Sequence, residues 1–544
     1  MMRRANVLLA SLALASLSAC GAGGEDAAAA YAQIEQLLPD GTAAIVRIAS
    51  LDEISSHMAS IEMAAGEEKA SLDARDLLAM APIPLGEVRL IDGTLPIAIA
   101  VTSKRATPPT VTLIVPATDP KAYEASLNNA NITSTTTAES SYFAVQLFGK
   151  YKPSMAGHTG TLANMEPGAV SIHGDLATFA KNYKVLIDSG LDMFVTVVTN
   201  QLETTNPGMD GEEIAELYAS AARAITDSAT TVDIGIDYQD GMLDFHTSLN
   251  VRDGSSMSGW SSPPIDLKPL AHGMTGKGML EVLFQMDMDK LAPRYDAIVD
   301  TAINVYPEQF QEPMREMMEA YKGIYSLISD GMVMEGDLFG EGGIRMTAQM
   351  APPNPAAFVE KMTELLTNEA VQKIGLIVKD AKAATDGATK TSDMALGFDF
   401  NKLAELVGGE ATATPSADDP AIKAMFGSGF HLHTAHRSDR LVITSGKDRG
   451  EIANKTLDAT SGTWSAAVQP AFERVADCNP MMVERIDFGA MMIGVMKAMG
   501  GPKPQSSSSA NMIFYGGIRD NEWRLGMSFD VAGIAAMAKS VSPR

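Results

Sequence analysis

Three of the eight histidines fall within six residues, at His431, His433 and His436. Imidazole nitrogens are good ligands for zinc or copper, and Asp439 lies close enough in sequence to complete a set of four. Phe430 and Leu432 alternate with His431 and His433, so on a strand the two imidazoles share the face opposite the apolar pair. His436 is expected in the following turn, before Leu441, Val442 and Ile443 lead back. Three converging imidazoles would suit an exported metal-dependent hydrolase, which is the alternative reading of this chain. The plainer reading is a solvent-facing strand and its turn, because spacing alone does not make a site.

Other chemistry is thinner. The 34 methionines include Met314, Met317 and Met318, and Met491, Met492, Met496 and Met499. Thioether sulfur can bind copper(I), but Met492, Met496 and Met499 sit at helical spacing, as a core stripe would. Core packing is the favoured reading, with an adaptable apolar groove for lipid or peptide beside it. The sequence holds no Gly-x-Ser-x-Gly, Ser-x-x-Lys, His-Glu-x-x-His, phosphate-loop or dinucleotide motif, so no catalytic residue is assigned and no cofactor is expected. Gly340 to Gly343 reads as a hairpin turn, and Cys478, distant from any histidine in sequence, as a buried small residue.

The elements that must position these residues announce themselves by one recurring junction. A strand-like run ends at Ser, Asp or Asn, an apolar residue or Pro follows, and a helical stretch begins. Ser50, Asp119, Asp175, Asn250, Asp287, Asn354, Asp399, Asp487 and Asp530 are read as helix N-caps, their oxygens accepting the first-turn N–H groups. Asp287 and Asp289 are therefore no catalytic pair. The junctions repeat: Ser50 to Asp287 and Asp119 to Asn354 are 237 and 235 residues apart. Each half also closes on a hairpin pattern. Alternation at Val232, Ile234 and Ile236 turns near Gln239 and returns through Leu243, Phe245 and Leu249. Met512 and Phe514 turn near Asp520 and return through Trp523, Leu525, Met527 and Phe529.

The expected architecture is α+β, with two tandem, duplicated halves, each packing helices on a mainly antiparallel sheet. The first half spans 31–260, a linker 261–277 and the second half 278–544, with insertions in the second at 379–393 and 410–423. Apolar residues make up 46% of the chain, enough for a sizeable core. The formal net charge of −25 repels phosphate backbones and excludes nucleic acid as a partner.

Arg3 and Arg4 precede an apolar run from Val7 to Leu17, which ends in Leu17-Ser18-Ala19-Cys20. This resembles a bacterial lipoprotein signal peptide over residues 1–19. The resemblance implies that Cys20 becomes the lipidated first residue and that 20–30 form a flexible tether. The membrane would then be a partner through that lipid, and a glycine after the cysteine resembles an outer-membrane sorting signal. With Cys20 acylated, Cys478 has no intramolecular disulfide partner. The stretches Ala43 to Ile48, Leu95 to Val101 and Val111 to Pro116, with Asp119-Pro120, resemble uncharacterised bacterial envelope lipoproteins that carry a large domain of unknown function. That resemblance implies an exported protein and transfers no site residue. The function expected is non-enzymatic: binding a small, apolar ligand or an envelope protein, or scaffolding.

Overall fold

A computed structural model describes residues 25–65, 73–104, 109–137, 140–148, 160–205, 211–239, 241–287, 308–325, 331–340, 343–373, 375–399, 430–498 and 509–541, with a few isolated positions between them. Cys20, Met499 and the expected insertion at 410–423 lie outside the described residues. Helices pack on antiparallel sheets, so the fold is α+β. Two compact units emerge, one of residues 1–187, 226–256 and 522–544, the other of 188–225 and 257–521. They are not consecutive halves, because two segments cross over.

The first unit opens with α1 (Glu25–Gln36), β1 (Thr42–Ile48), α2 (Leu51–Ala65) and α3 (Ala74–Met80). β2 (Ile97–Thr102), β3 (Thr110–Pro116), α4 (Pro120–Asn129), β4 (Ser134–Thr135), β5 (Tyr142–Phe148) and β6 (Val170–Asp175) follow. Helix α5 (Leu176–Thr205), kinked at Tyr183, and α6 (Gly211–Ser228) precede β7 (Ala229–Gln239) and β8 (Met242–Val251). Alternation along β1 divides the core between two faces. Ile45 packs with Ala98, Ala100 and Ile114 beneath Ile34 of α1. Val46 and Ile48 turn to the other face, where Leu51, Ile54 and Met58 of α2 and Tyr123 and Leu127 of α4 cover Leu113, Val115 and Val145.

The second unit takes α5 from Asp188 and α6 as far as Ile225, an antiparallel pair held by Arg223 and Asp192 at 3.3 Å. Next come β9 (Leu280–Gln285), α7 (Glu308–Tyr325), β10 (Met332–Gly340), β11 (Gly343–Met350), α8 (Pro355–Thr367) and α9 (Glu369–Lys373). β12 (Leu376–Asp386), β13 (Thr389–Phe398), β14 (Phe430–His436) and β15 (Leu441–Ser445) lead to α10 (Arg449–Asp458) and α11 (Gln469–Val475). β16 (Met481–Asp487), α12 (Phe488–Ala498) and β17 (Asn511–Arg519) complete it. β18 (Glu522–Asp530) and α13 (Val531–Val541) belong again to the first unit, where β18 pairs with β8. Methionines fill much of this second core: Met350 is buried against Ile324 and Phe358, with Met317, Met332, Met334 and Met362 packed around them.

Among the described residues the first sheet runs β4–β5–β3–β2–β1–β6–β7–β8–β18 and the second β12–β13–β14–β15–β11–β10–β9–β16–β17, antiparallel throughout. In each, the earliest strand, β1 or β9, sits inside the sheet between a hairpin and a later strand.

Two expectations, the Asn250 cap and the linker, are corrected. Asn250 caps no helix; it lies inside β8, paired with Thr231 and Glu522, and the bend that follows carries Gly254 at φ +73° in place of an apolar helical period. Residues 379–393, expected as an insertion, form most of the β12–β13 hairpin. The supposed linker is packed into the second unit, since Leu267, Leu270, Ala271 and Met274 supply apolar side chains that are buried there.

Candidate functional site

Helix caps fix the geometry of both units. Glu53 N–H donates to Ser50 Oγ at 3.0 Å, Ala122 N–H to Asp119 at 3.1 Å and Thr178 N–H to Asp175 at 2.8 Å. Asn354, Asp487 and Asp530 accept from Ala357, Ala490 and Gly533 at 3.1, 2.9 and 2.6 Å. Asp287 and Asp399 accept the N–H groups of Lys290 and Lys402, each at 3.3 Å, while most of the chain that follows each lies outside the described residues.

The three histidines do not converge. β14 continues through His436, so His431 and His433 face one side and His436 the other. The turn falls later, with Arg437 N–H donating to Arg440 C=O. His433 is buried beneath α10, with Nδ1 3.2 Å from an Asp393 oxygen that also takes Arg449 Nε at 3.0 Å. His436 lies across the strand from Lys390, and burial, with that lysine's charge, pushes its pKa below the ordinary histidine range. Among the described residues no three His, Cys, Asp or Glu side chains are placed to share a metal ion. Cys478 is fully buried against Gly517.

The second unit builds a cavity of about 530 Å³ on the sheet face beneath α10. Its floor is β10 and β11, where Glu335 faces Thr347 and Asp337 faces Arg345. One wall is α10, through Ile452, Lys455 and Thr456. The opposite wall is loop 273–278, whose Gly273 and Gly276 take φ of +90° and +68°. That backbone path turns the N–H groups of Thr275, Lys277 and Gly278 onto the Glu335 carboxylate at 2.7, 2.9 and 2.7 Å, and the Thr275 hydroxyl joins them. Asp337 accepts Met279 N–H at 3.1 Å and pairs with Arg345. Arg440 donates to the carbonyls of His272 and Ala459, tying both walls to β15. Of the five charged side chains lining this cavity, three are basic, in a chain whose net charge is −25.

The first unit carries a polar ladder along β8. His246 of β8 lies between Gly235 and Gly526, with Glu166 at 3.4 Å and Asp244 at 3.6 Å. Ser248 donates to Glu166 at 2.7 Å and Ser528 to Asp244 at 2.6 Å. His246 is buried, while the carboxylates of Glu166 and Asp244 that flank it are half-buried, and the ladder ties β8 to β18 and to the segment before β6.

None of the cavity residues was singled out from the sequence. The available signal was Thr275-Gly276-Lys277-Gly278, a short glycine-interrupted basic segment, together with Glu335 and Asp337 alternating on a strand. Neither marks a site until the register of β10 and β11 brings them together.

No protein-family model matches the chain, and no curated protein matches it. Among solved structures, crystal forms I and III of TP0453 are similar to it at 12% and 11% identity, with TM-scores of 0.21 and 0.22, over 51% of this chain and 99% of theirs. At those values the likeness carries neither fold nor function to this chain.

Proposed function

We propose that the chain is a lipid-anchored protein of the bacterial envelope that holds a ligand rather than transforming one. The observation that carries the binding part is the cavity under α10, whose volume of about 530 Å³ falls within the range of small-molecule sites. Its charged and hydroxyl-bearing walls favour a polar ligand over the apolar one the methionine content suggests. The anchor rests on Leu17 to Cys20, and the glycine after that cysteine supports an outer-membrane address. No described helix is long and apolar enough to cross a membrane, so the lipid on Cys20 is the anchor proposed. The matching neighbours of β1 and β9 support descent of the two units from one duplicated ancestor. A metal-dependent hydrolase is the weaker reading, because His436 faces away from His431 and His433.

Cell fractionation tests the address. Cys20→Ser is expected to move the protein from the membrane pellet to the soluble fraction. Unchanged sedimentation with membranes after that substitution would remove the lipid anchor from the proposal.

A further inference from the structure

We infer that the cavity between loop 273–278, β10, β11 and α10 takes a small anion, a molecule bearing a carboxylate or phosphate group. This deepens the binding function proposed above and rests on it. The two carboxylates of the cavity are already occupied: Glu335 accepts three backbone N–H groups and a hydroxyl, and Asp337 accepts Met279 N–H and the Arg345 guanidinium. Neither has reason to recruit a cation.

The donors are left in surplus. Lys277 and Lys455 line opposite walls, and neither has an acidic partner among the described residues. Arg345 uses one terminal nitrogen on Asp337, and the rest of its fork is uncommitted. The hydroxyls of Thr347 and Thr456 add neutral donors to the same lining. Lys455 also sits in the last turn of α10, where its charge suits the helix C-terminus, so its stem is held near the cavity. Two ammonium groups and a planar guanidinium around one space match the oxygens of a carboxylate or phosphate.

Titration calorimetry on the full chain in detergent, at low ionic strength, tests this with inorganic phosphate and with citrate as probes. One of them is expected to saturate a single site. Lys277→Ala combined with Lys455→Ala should weaken that binding at least tenfold while the ligand-free chain still unfolds cooperatively, with only the small drop in melting temperature that losing one helix-terminal charge brings. Raising the salt concentration should weaken wild-type binding as well. Binding of neither probe, or binding indifferent to both substitutions, would overturn the anion assignment. The same preparation in native mass spectrometry separates the two levels of the argument. A neutral or cationic molecule held by the wild-type chain and lost on Thr347→Trp would sink the anion assignment and leave the binding function standing. An empty chain that also ignores both probes would remove both.

Discussion

Arg485 and Glu281 face each other across β16 and β9, 3.1 Å apart and both buried. Burial pushes the Glu281 pKa up, against the opposing pull of the Arg485 charge and the Ser465 N–H. Arg485 also donates to the carbonyl of Gly278 and to Asn511. Removing one partner strands the other's charge in the interior, which typically costs about 3–5 kcal/mol. Arg485→Met is therefore expected to lower the stability of the second unit by that order in urea denaturation. Arg485→Met combined with Glu281→Leu should recover much of the loss.

Two histidines predict opposite responses to pH. The hydrogen bond that His173 Nδ1–H donates to the Asp233 carboxylate, at 2.7 Å, raises the His173 pKa, so the folded state holds that proton more tightly than the unfolded chain. Its contribution is full below about pH 6.5 and fades as pH rises through the folded value. The depressed pKa of His436 works the other way: the unfolded chain binds the proton better, so stability falls as pH drops below about 6.5. In melting curves between pH 5 and 8, His436→Gln should flatten the acid side and His173→Asn the neutral side. Gly235 gives a steric test, because a Cβ there would lie 2.0 Å from His246 Nε2 and 2.5 Å from the Pro167 carbonyl. Gly235→Ala should destabilise the first unit by about 1–3 kcal/mol, by the overpacking it forces.

Among elements, the strand-to-helix junctions were the legible part. A cap is a local device: Asp119-Pro120 and Asn354-Pro355 carry the acceptor and the preset φ side by side, and both start helices where the sequence places them. Asp119→Ala and Asn354→Ala are each expected to cost about 1 kcal/mol, read as faster hydrogen exchange in α4 and α8. Asp487 should cost more, because it accepts both Ala490 N–H and Ala510 N–H and so holds α12 and the start of β17 together. Where the junction signal failed, non-local pairing decided the outcome. Asn250 has the right residue type, yet flanking strands on both sides keep it in the sheet. The local sequence at His436 suits a turn, but its register against Lys390 and Leu441 extends β14 by one more pair. The cavity was invisible for the same reason: Lys277, Glu335, Arg345 and Lys455 are far apart in sequence and meet only through the order β15–β11–β10–β9 and the helix laid across it.

For the whole molecule, the sequence separates the address from the work. On the proposed reading the residues near Cys20 would set where the chain is held, and the polar cavity of the second unit would give it something to hold. Strong acidity, with a net charge of −25, keeps the surface soluble and repels anions generally, so a locally basic cavity would select its ligand against that background. The most direct measurement is the native mass of the protein extracted from envelope membranes in mild detergent. The prediction is a chain beginning at a diacylated, N-acylated Cys20 and carrying one noncovalently bound small acid. A chain that begins at Met1, without lipid and without ligand, would contradict it.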